Sequence, residues 1–163
     1  MEVAMENNPV WASVQCAQDI QPESKYGLNL QFGRNAFEYF LRDVSNLSFC
    51  HTYIGVDIED VNSGLRHSGS LKAGTISGAV AGFDRVARFE SAAVMLVQAM
   101  EIQNCKGTVC FVVGRMLRIS ELKAAMNAFR SLMPADATVI FGAYNGDSVE
   151  ADDLRVTVTA IVD

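Results

Sequence analysis

A run of six residues at 108–113 constrains the fold of this chain more than any other segment. It reads Thr-Val-Cys-Phe-Val-Val, so both faces of an extended backbone would carry apolar side chains. Such a run is typical of a central strand in a sheet. It lies between two stretches, 84–102 and 120–133, in which apolar residues recur at helical spacing. The sequence therefore predicts a sheet against which helices pack.

The last strand of the chain is predicted at residues 154–161, where residue types alternate with a period of two. Leu154, Val156, Val158 and Ala160 are expected to face the core, while Arg155, Thr157 and Thr159 face outward. We expect a mixed sheet of about four strands, packed on one face by the helices near 84–102 and 120–133. Part of the other face would then be open to water or to a partner.

The remaining elements follow from the same periodicities. The sequence predicts helices over 35–47 and 58–65, a strand at 138–143 and a possible N-terminal hairpin formed by 10–16 and 26–32. Strands and helices alternate too irregularly for a doubly wound sheet. The predicted fold class is α+β, with an appended N-terminal helix and hairpin.

Composition limits the function classes that need to be considered. The chain has 163 residues, 50% of them hydrophobic, which suffices for one well-buried core. Its net charge of −6 argues against binding to nucleic acid or to an anionic membrane surface. The N-terminus lacks the basic and apolar regions of a secretory signal. Cys16, Cys50, Cys105 and Cys110 show no zinc spacing, so we expect reduced thiols in a cytoplasmic protein.

Two further segments suggest a ligand site only superficially. The glycine-rich stretch 68–82 matches neither phosphate-binding pattern, and its small residues predict a strand that allows close packing of a neighbour. Asp147, Glu150, Asp152 and Asp153 form an acidic loop without calcium-loop spacing, which favours a solvated hairpin loop. No metal and no cofactor are predicted.

Residues 53–60, Tyr-Ile-Gly-Val-Asp-Ile-Glu-Asp, carry the strongest functional signal. If a helix begins near Ile58, Asp57 is a natural N-cap and Asp60 lies in the first turn, where the helix dipole favours negative charge. The two carboxylates are thus explained as helix caps without any catalytic role. Their spacing leaves open a second interpretation, in which they act on a partner.

Three motifs resemble the C-terminal domain of FtsZ, the bacterial relative of tubulin. Gly55-x-Asp57-x-x-Asp60 resembles the FtsZ synergy loop, Asn-x-Asp-x-x-Asp, with glycine in place of asparagine. Gly82, Asp84 and Arg85 match the Gly-x-Asp-Arg that opens the next FtsZ helix. Residues 137–142, Ala-Thr-Val-Ile-Phe-Gly, and 153–160, Asp-Leu-Arg-Val-Thr-Val-Thr-Ala, are similar to its terminal hairpin.

The resemblance runs from about Ala36 to Asp163 and implies an FtsZ-like C-terminal domain over 35–163, preceded by an extension at 1–34. The helix at 35–47 would correspond to the end of the FtsZ central helix. The GTPase domain would precede that helix, and about 34 residues cannot contain it. We therefore expect no unaided GTP binding or hydrolysis. The initial methionine favours a complete gene product.

The leading hypothesis is a non-catalytic interaction module that binds or caps an FtsZ-like or tubulin-like filament in bacterial cell division or the cytoskeleton. The synergy loop of FtsZ reaches into the nucleotide pocket of the neighbouring subunit. The resemblance therefore implies partner binding through Gly55, Asp57, Glu59 and Asp60, with Asp57 and Asp60 at most contributing in trans to the partner's GTPase site. Glycine at position 55 favours capping over stimulation of hydrolysis.

Two alternatives remain open at this stage. A self-assembling homo-oligomeric scaffold would pair through the strand at 26–32 and the polar outer face of the last strand, with the aspartates acting only as caps. An enzyme would use Cys50, His51 and Asp57, or His67. Adjacent residues seldom supply both a nucleophile and its base, so the sequence favours a protein that is not itself an enzyme.

Overall fold

The computed structural model describes residues 29–47, 52–78, 85–146 and 154–163. Within these ranges the chain forms six strands and four helices. In chain order they are β1 (Asn29–Phe32), α1 (Arg34–Asn46), β2 (Thr52–Ile54), α2 (Ile58–Leu65), β3 (Ser70–Gly78), α3 (Arg85–Met100), β4 (Gly107–Gly114), α4 (Ile119–Leu132), β5 (Thr138–Asn145) and β6 (Leu154–Val162).

All six strands form one mixed sheet in the order β1-β3-β6-β4-β5-β2. β4 and β5 run parallel, and the other neighbours are antiparallel. The α+β class with a mixed sheet is confirmed, but the sheet has six strands where four were expected. The two additional strands, β1 and β2, are its short edges. β1 lies within the segment 26–32, which was predicted as a strand of the appended hairpin, whereas β2 was not predicted because a strand of three residues gives little periodic signal.

β6 lies in the centre of the sheet, where Val158 is paired with Gly74 of β3 on one side and Cys110 of β4 on the other. In the alternative of a self-pairing scaffold, β6 therefore cannot supply a free edge, because both of its hydrogen-bonding edges are already occupied. β1, by contrast, extends the sheet through its pairing with β3. The other half of the predicted hairpin, at 10–16, lies outside the described residues.

Helices cover both faces of the sheet, which corrects the expectation of a single covered face. α3 and α4 pack on one face around Phe89, Leu96 and Phe129. α1 and α2 pack on the other face around Phe40 and Val61. The side chains of β6 that were expected to face water are consequently buried, with Arg155 only 9% exposed and both Thr157 and Thr159 at 0%.

The boundaries of the elements agree with the sequence to within a few residues, and α2 agrees at both ends. α4 begins at Ile119, one residue before its predicted start, and the side chain of Glu121 accepts a bond from the Arg118 N–H at 2.6 Å. Gly82 and Asp84 of the Gly-x-Asp-Arg motif lie outside the described residues.

The glycine-rich segment forms β3, and its small residues do permit close packing. A Cβ added at Gly74 would lie 2.6 Å from the Met100 sulfur of α3. The strand predicted from this stretch is therefore confirmed. No helix in the described part of the chain is long and apolar enough to cross a membrane.

Candidate partner-binding loop

The segment that joins β2 to α2 is held against the sheet by one buried side chain. Val56 is 8% exposed, and its Cγ2 occupies the space over Gly142 of β5, where an added Cβ would lie 2.9 Å away. Its neighbours Gly55 and Asp57 are exposed. The loop is thus anchored at its centre while the residues on either side reach solvent.

Asp57 and Asp60 form a reciprocal capping box at the start of α2. The Asp60 N–H donates to Asp57 Oδ1 at 2.8 Å, and the Asp57 N–H donates to Asp60 Oδ2 at 3.0 Å. The backbone of Asp57 is extended (φ −98°, ψ 175°), as an N-cap requires. The N-cap predicted for Asp57 is confirmed, and the two bonds fix the orientation of both carboxylates.

The rest of α2 is oriented by burial on its opposite side. Val61 and Leu65 are fully buried, and a Cβ added at Gly64 would meet Val109 Cγ2 at 2.8 Å. Ile58, Glu59 and Asp60 are exposed. The start of α2 therefore presents three carboxylates to solvent from a rigid support. We call the exposed residues Gly55, Asp57, Ile58, Glu59 and Asp60 the α2 start.

This arrangement offers hydrogen-bond acceptors and negative charge. Each capping bond uses one oxygen of its carboxylate, which leaves the other oxygen able to accept from a partner or a water molecule. In the described ranges, no three His, Cys, Asp or Glu residues are grouped as a metal site would require. The α2 start is thus suited to recognising donors and positive charge on another molecule.

The residues suggested for an enzyme are not brought together by the described structure. Cys50 and His51 lie outside the described residues, as do the four acidic residues of 147–153. His67 follows the C-terminal end of α2, where its Cδ2 lies 2.7 Å from a Cβ added at Gly107. Asp57 lies at the other end of this eight-residue helix, about 12 Å away along the axis.

A buried polar cluster lies beneath α1, and the sequence pattern did not predict it. Asp43 of α1, fully buried, accepts bonds from the guanidinium of Arg155 in β6 and the hydroxyl of Tyr144 in β5. Arg155 also donates to the Tyr144 oxygen at 3.0 Å, and its guanidinium carbon lies 5.2 Å from the centre of the Tyr39 ring. The cluster fixes α1 on the sheet. The position of α1 in turn determines where the connection to β2 begins.

Burial dominates the electrostatics of this cluster. Loss of hydration raises the pKa of Asp43, and the neighbouring charge of Arg155 lowers it by less. Burial and the nearby Asp43 carboxyl also raise the pKa of Tyr144. The signal in the sequence was the position of Asp43 on the apolar stripe of α1, three residues after Phe40.

Comparison with known proteins places this architecture among FtsZ-like domains. No family model matches the chain. The cell division protein FtsZ of Bartonella bacilliformis is 30% identical to it over 120 residues, which are 72% of this chain and 20% of that protein. The chain therefore spans one fifth of the length of the curated relative that it matches.

Solved structures give the same result for the fold. A point mutant of FtsZ from M. jannaschii superposes with a TM-score of 0.61 and 20% identity, covering 79% of this chain and 40% of that one. The empty FtsZ dimer of the same organism superposes with a TM-score of 0.59 and 19% identity, and the match covers 78% of this chain and 38% of that one. The predicted resemblance is confirmed. Over the matched segment the chain is an FtsZ homologue with the fold of the C-terminal-domain-like region.

Proposed function

We propose that this protein binds the terminal subunit of an FtsZ-like filament through the α2 start and caps filament growth in the cytoplasm of a dividing bacterium. The observation that supports this most is the reciprocal capping box of Asp57 and Asp60, which holds both carboxylates in fixed positions on an exposed surface. A surface that is already ordered loses little conformational entropy when a partner binds.

Charge and exposure favour a partner with hydrogen-bond donors at the contact. One exposed turn carries Asp57, Glu59 and Asp60, and the next residue, Val61, is fully buried and anchors this turn. In the FtsZ pattern the corresponding loop enters the nucleotide pocket of the next subunit. A subunit at a filament end has a nucleotide pocket that no neighbour occupies, which makes it the partner of best fit.

Capping is favoured over stimulation of GTP hydrolysis because of Gly55. The FtsZ pattern has asparagine there, and glycine supplies no side-chain hydrogen bond. Asp57 and Asp60 would have to hold an attacking water within hydrogen-bond distance to stimulate hydrolysis. We propose that the chain hydrolyses no GTP by itself and contributes, at most, these two carboxylates to the site of its partner.

Sedimentation of FtsZ polymer and GTP turnover, both titrated with this protein, test the proposal. FtsZ from the same organism should lose sedimentable polymer at substoichiometric amounts of the wild-type chain. The triple variant Asp57→Asn/Glu59→Gln/Asp60→Asn should lose this effect, since it removes the charges while keeping acceptor oxygens for the cap.

The matched control removes charge elsewhere. Glu90 in α3 and Asp136 before β5 are exposed, and Glu90→Gln/Asp136→Asn should leave the capping effect unchanged. Unchanged polymer at all ratios of wild-type protein, or equal activity of the triple variant and the wild type, would contradict the proposal.

A further inference from the structure

The loop between β4 and α4 exposes two large apolar side chains. Met116 is 84% exposed and Ile119 is 81% exposed, far above any other large apolar residue in the part of the chain that the structure describes. Met116 also has a φ of 49°, in the left-handed region that methionine rarely adopts. Arg118 lies between them and is exposed. We call Met116, Arg118 and Ile119 the α4 knob.

The α4 knob and the α2 start lie at the same end of the sheet. Val56 contacts β5 at the level of Gly142, and Gly64 contacts β4 at the level of Thr108 and Val109. α2 therefore runs antiparallel to β4, with its N-terminus directed towards the end at which β4 finishes. Gly142 pairs with Phe111, only three residues or about 10 Å before that end.

The two surfaces lie on opposite faces of the sheet and have complementary chemistry. α2 packs on one face with Phe40 and Val61, whereas α4 packs on the other with Phe129. The α2 start carries three carboxylates around Ile58, which is 39% exposed. The α4 knob carries a guanidinium between two apolar side chains. The described residues at this end of the domain thus include an acidic patch and a basic, apolar patch.

We propose that this end of the domain binds a second copy of the same chain. A two-fold axis that lies in the plane of the sheet, perpendicular to the strands, brings two such ends together and exchanges their faces. The α2 start of each copy then meets the α4 knob of the other, which makes the contact isologous and closed. Each copy buries its Met116 and Ile119 against the other copy, and its Arg118 pairs with the carboxylates of the α2 start of the other copy.

Charge supports a second copy as the occupant. Each chain has a net charge of −6, so two copies repel one another except where opposite charges are brought into contact. The proposed two-fold contact places the α4 knob of each copy against the α2 start of the other, so opposite charges meet at two symmetry-related sites. A contact formed by three residues on one side and one helical turn on the other is small, so we expect a weak, salt-sensitive dimer of the transient class. It does not depend on the proposed filament function, although pairing would cover the α2 start and compete with it.

Sedimentation equilibrium of the purified full-length chain tests the proposal. Concentrations up to about 1 mM cover the affinity range of small interfaces. The wild type should form a monomer–dimer equilibrium, and raising the salt concentration should weaken it. Ile119→Glu should raise the dissociation constant at least tenfold, whereas Val94→Glu, an equally drastic change at a 37% exposed site on α3, should leave it unchanged.

A charge exchange gives the decisive comparison. Arg118→Glu and Glu59→Arg should each weaken the dimer, because each places like charges opposite one another. The double variant Arg118→Glu/Glu59→Arg should recover most of the lost affinity. A chain that stays monomeric throughout, a dimer indifferent to Ile119→Glu, or a double variant weaker than both single variants would each overturn the proposal. None of these readouts requires FtsZ, so they are independent of the capping assay.

Discussion

The carboxylate of Asp43 and the guanidinium of Arg155 form a buried ion pair, 112 residues apart in the sequence, that joins α1 to the central strand β6. The pair lies on the sheet face that the sequence had indicated as partly open. α1 is therefore not merely an appended helix, since it completes the second helical layer. The segment that leads to β2 starts from this helix.

Removing one partner of this pair should be strongly destabilising. Asp43→Ala leaves Arg155 as an uncompensated charge that is only 9% exposed, and should lower the free energy of unfolding by about 3–5 kcal/mol. Asp43→Leu/Arg155→Met removes both charges and should cost less than Asp43→Ala alone. Urea unfolding of the three proteins measures the difference. Equal stability of wild type and Asp43→Ala would show that the pair does not hold α1.

The raised pKa of Asp43 predicts a specific pH dependence of stability. In the unfolded chain Asp43 titrates near its ordinary pKa of 3.8, whereas burial raises its pKa in the folded state. Between the two values the folded state binds more protons, so the contribution of Asp43 to stability falls as pH rises through this window. The Asp43→Asn variant has no ionisable group at this position, so its stability lacks this pH-dependent contribution. The stability advantage of wild type over Asp43→Asn should therefore be larger at pH 4 than at pH 7.

This comparison has a clear opposite outcome. If the advantage of wild type over Asp43→Asn grew as the pH was raised from 4 to 7, the folded-state pKa of Asp43 would lie below its ordinary value. Interaction with Arg155 would then outweigh the cost of burial.

The capping box predicts how substitutions at Asp57 affect stability. Asp57→Ala removes the acceptor for the Asp60 N–H and should cost about 1 kcal/mol. Asp57→Asn keeps an acceptor oxygen and should cost less. Chemical unfolding measures both, and equal losses would contradict the cap. The result also determines which variant is suitable for tests of partner binding, because only Asn separates the charge from the fold.

Replacing Gly55 with asparagine should give the chain the ability to stimulate GTP hydrolysis by a partner. Among the described residues, a Cβ added there would have only Thr52 Oγ1 nearby, at 3.9 Å, which leaves room for a side chain. Gly55→Asn introduces the asparagine of the FtsZ pattern and, on the proposed function, should make the chain raise the GTP turnover of an FtsZ partner. Gly55→Ala is the control for size. Turnover that is equal with the asparagine and alanine variants would exclude a role of position 55 in hydrolysis.

The sequence predicted α2 and its cap well because the signals are local. Asp57, Val61 and Leu65 lie within one short segment, and their spacing determines both the start and the buried side of the helix. The fold class and the central position of β4 were also predictable, since its run of apolar residues leaves no polar face.

The sequence misassigned the second face of the sheet for a physical reason. The alternation of Arg155, Thr157 and Thr159 with apolar residues predicted polar side chains that bind water. Two of them bind other side chains instead: Thr157 shares a hydrogen bond with Thr75 at 3.1 Å, and Arg155 pairs with Asp43. Such partners lie about a hundred residues away, beyond any local pattern. The α4 knob was not predicted because Ile119 begins an amphipathic helix and Met116 lies just before it, where apolar residues usually belong to the core.

The most direct test of the central claim is where this protein binds on an FtsZ filament. Single filaments of FtsZ from the same organism would be imaged with one fluorophore, and this chain, labelled at its N-terminus, with another. We predict one fluorescent spot at one end only, with elongation stopped at that end, and no spot with Asp57→Asn/Glu59→Gln/Asp60→Asn. Uniform labelling along the filament, or filaments that grow at both ends while labelled, would contradict the account.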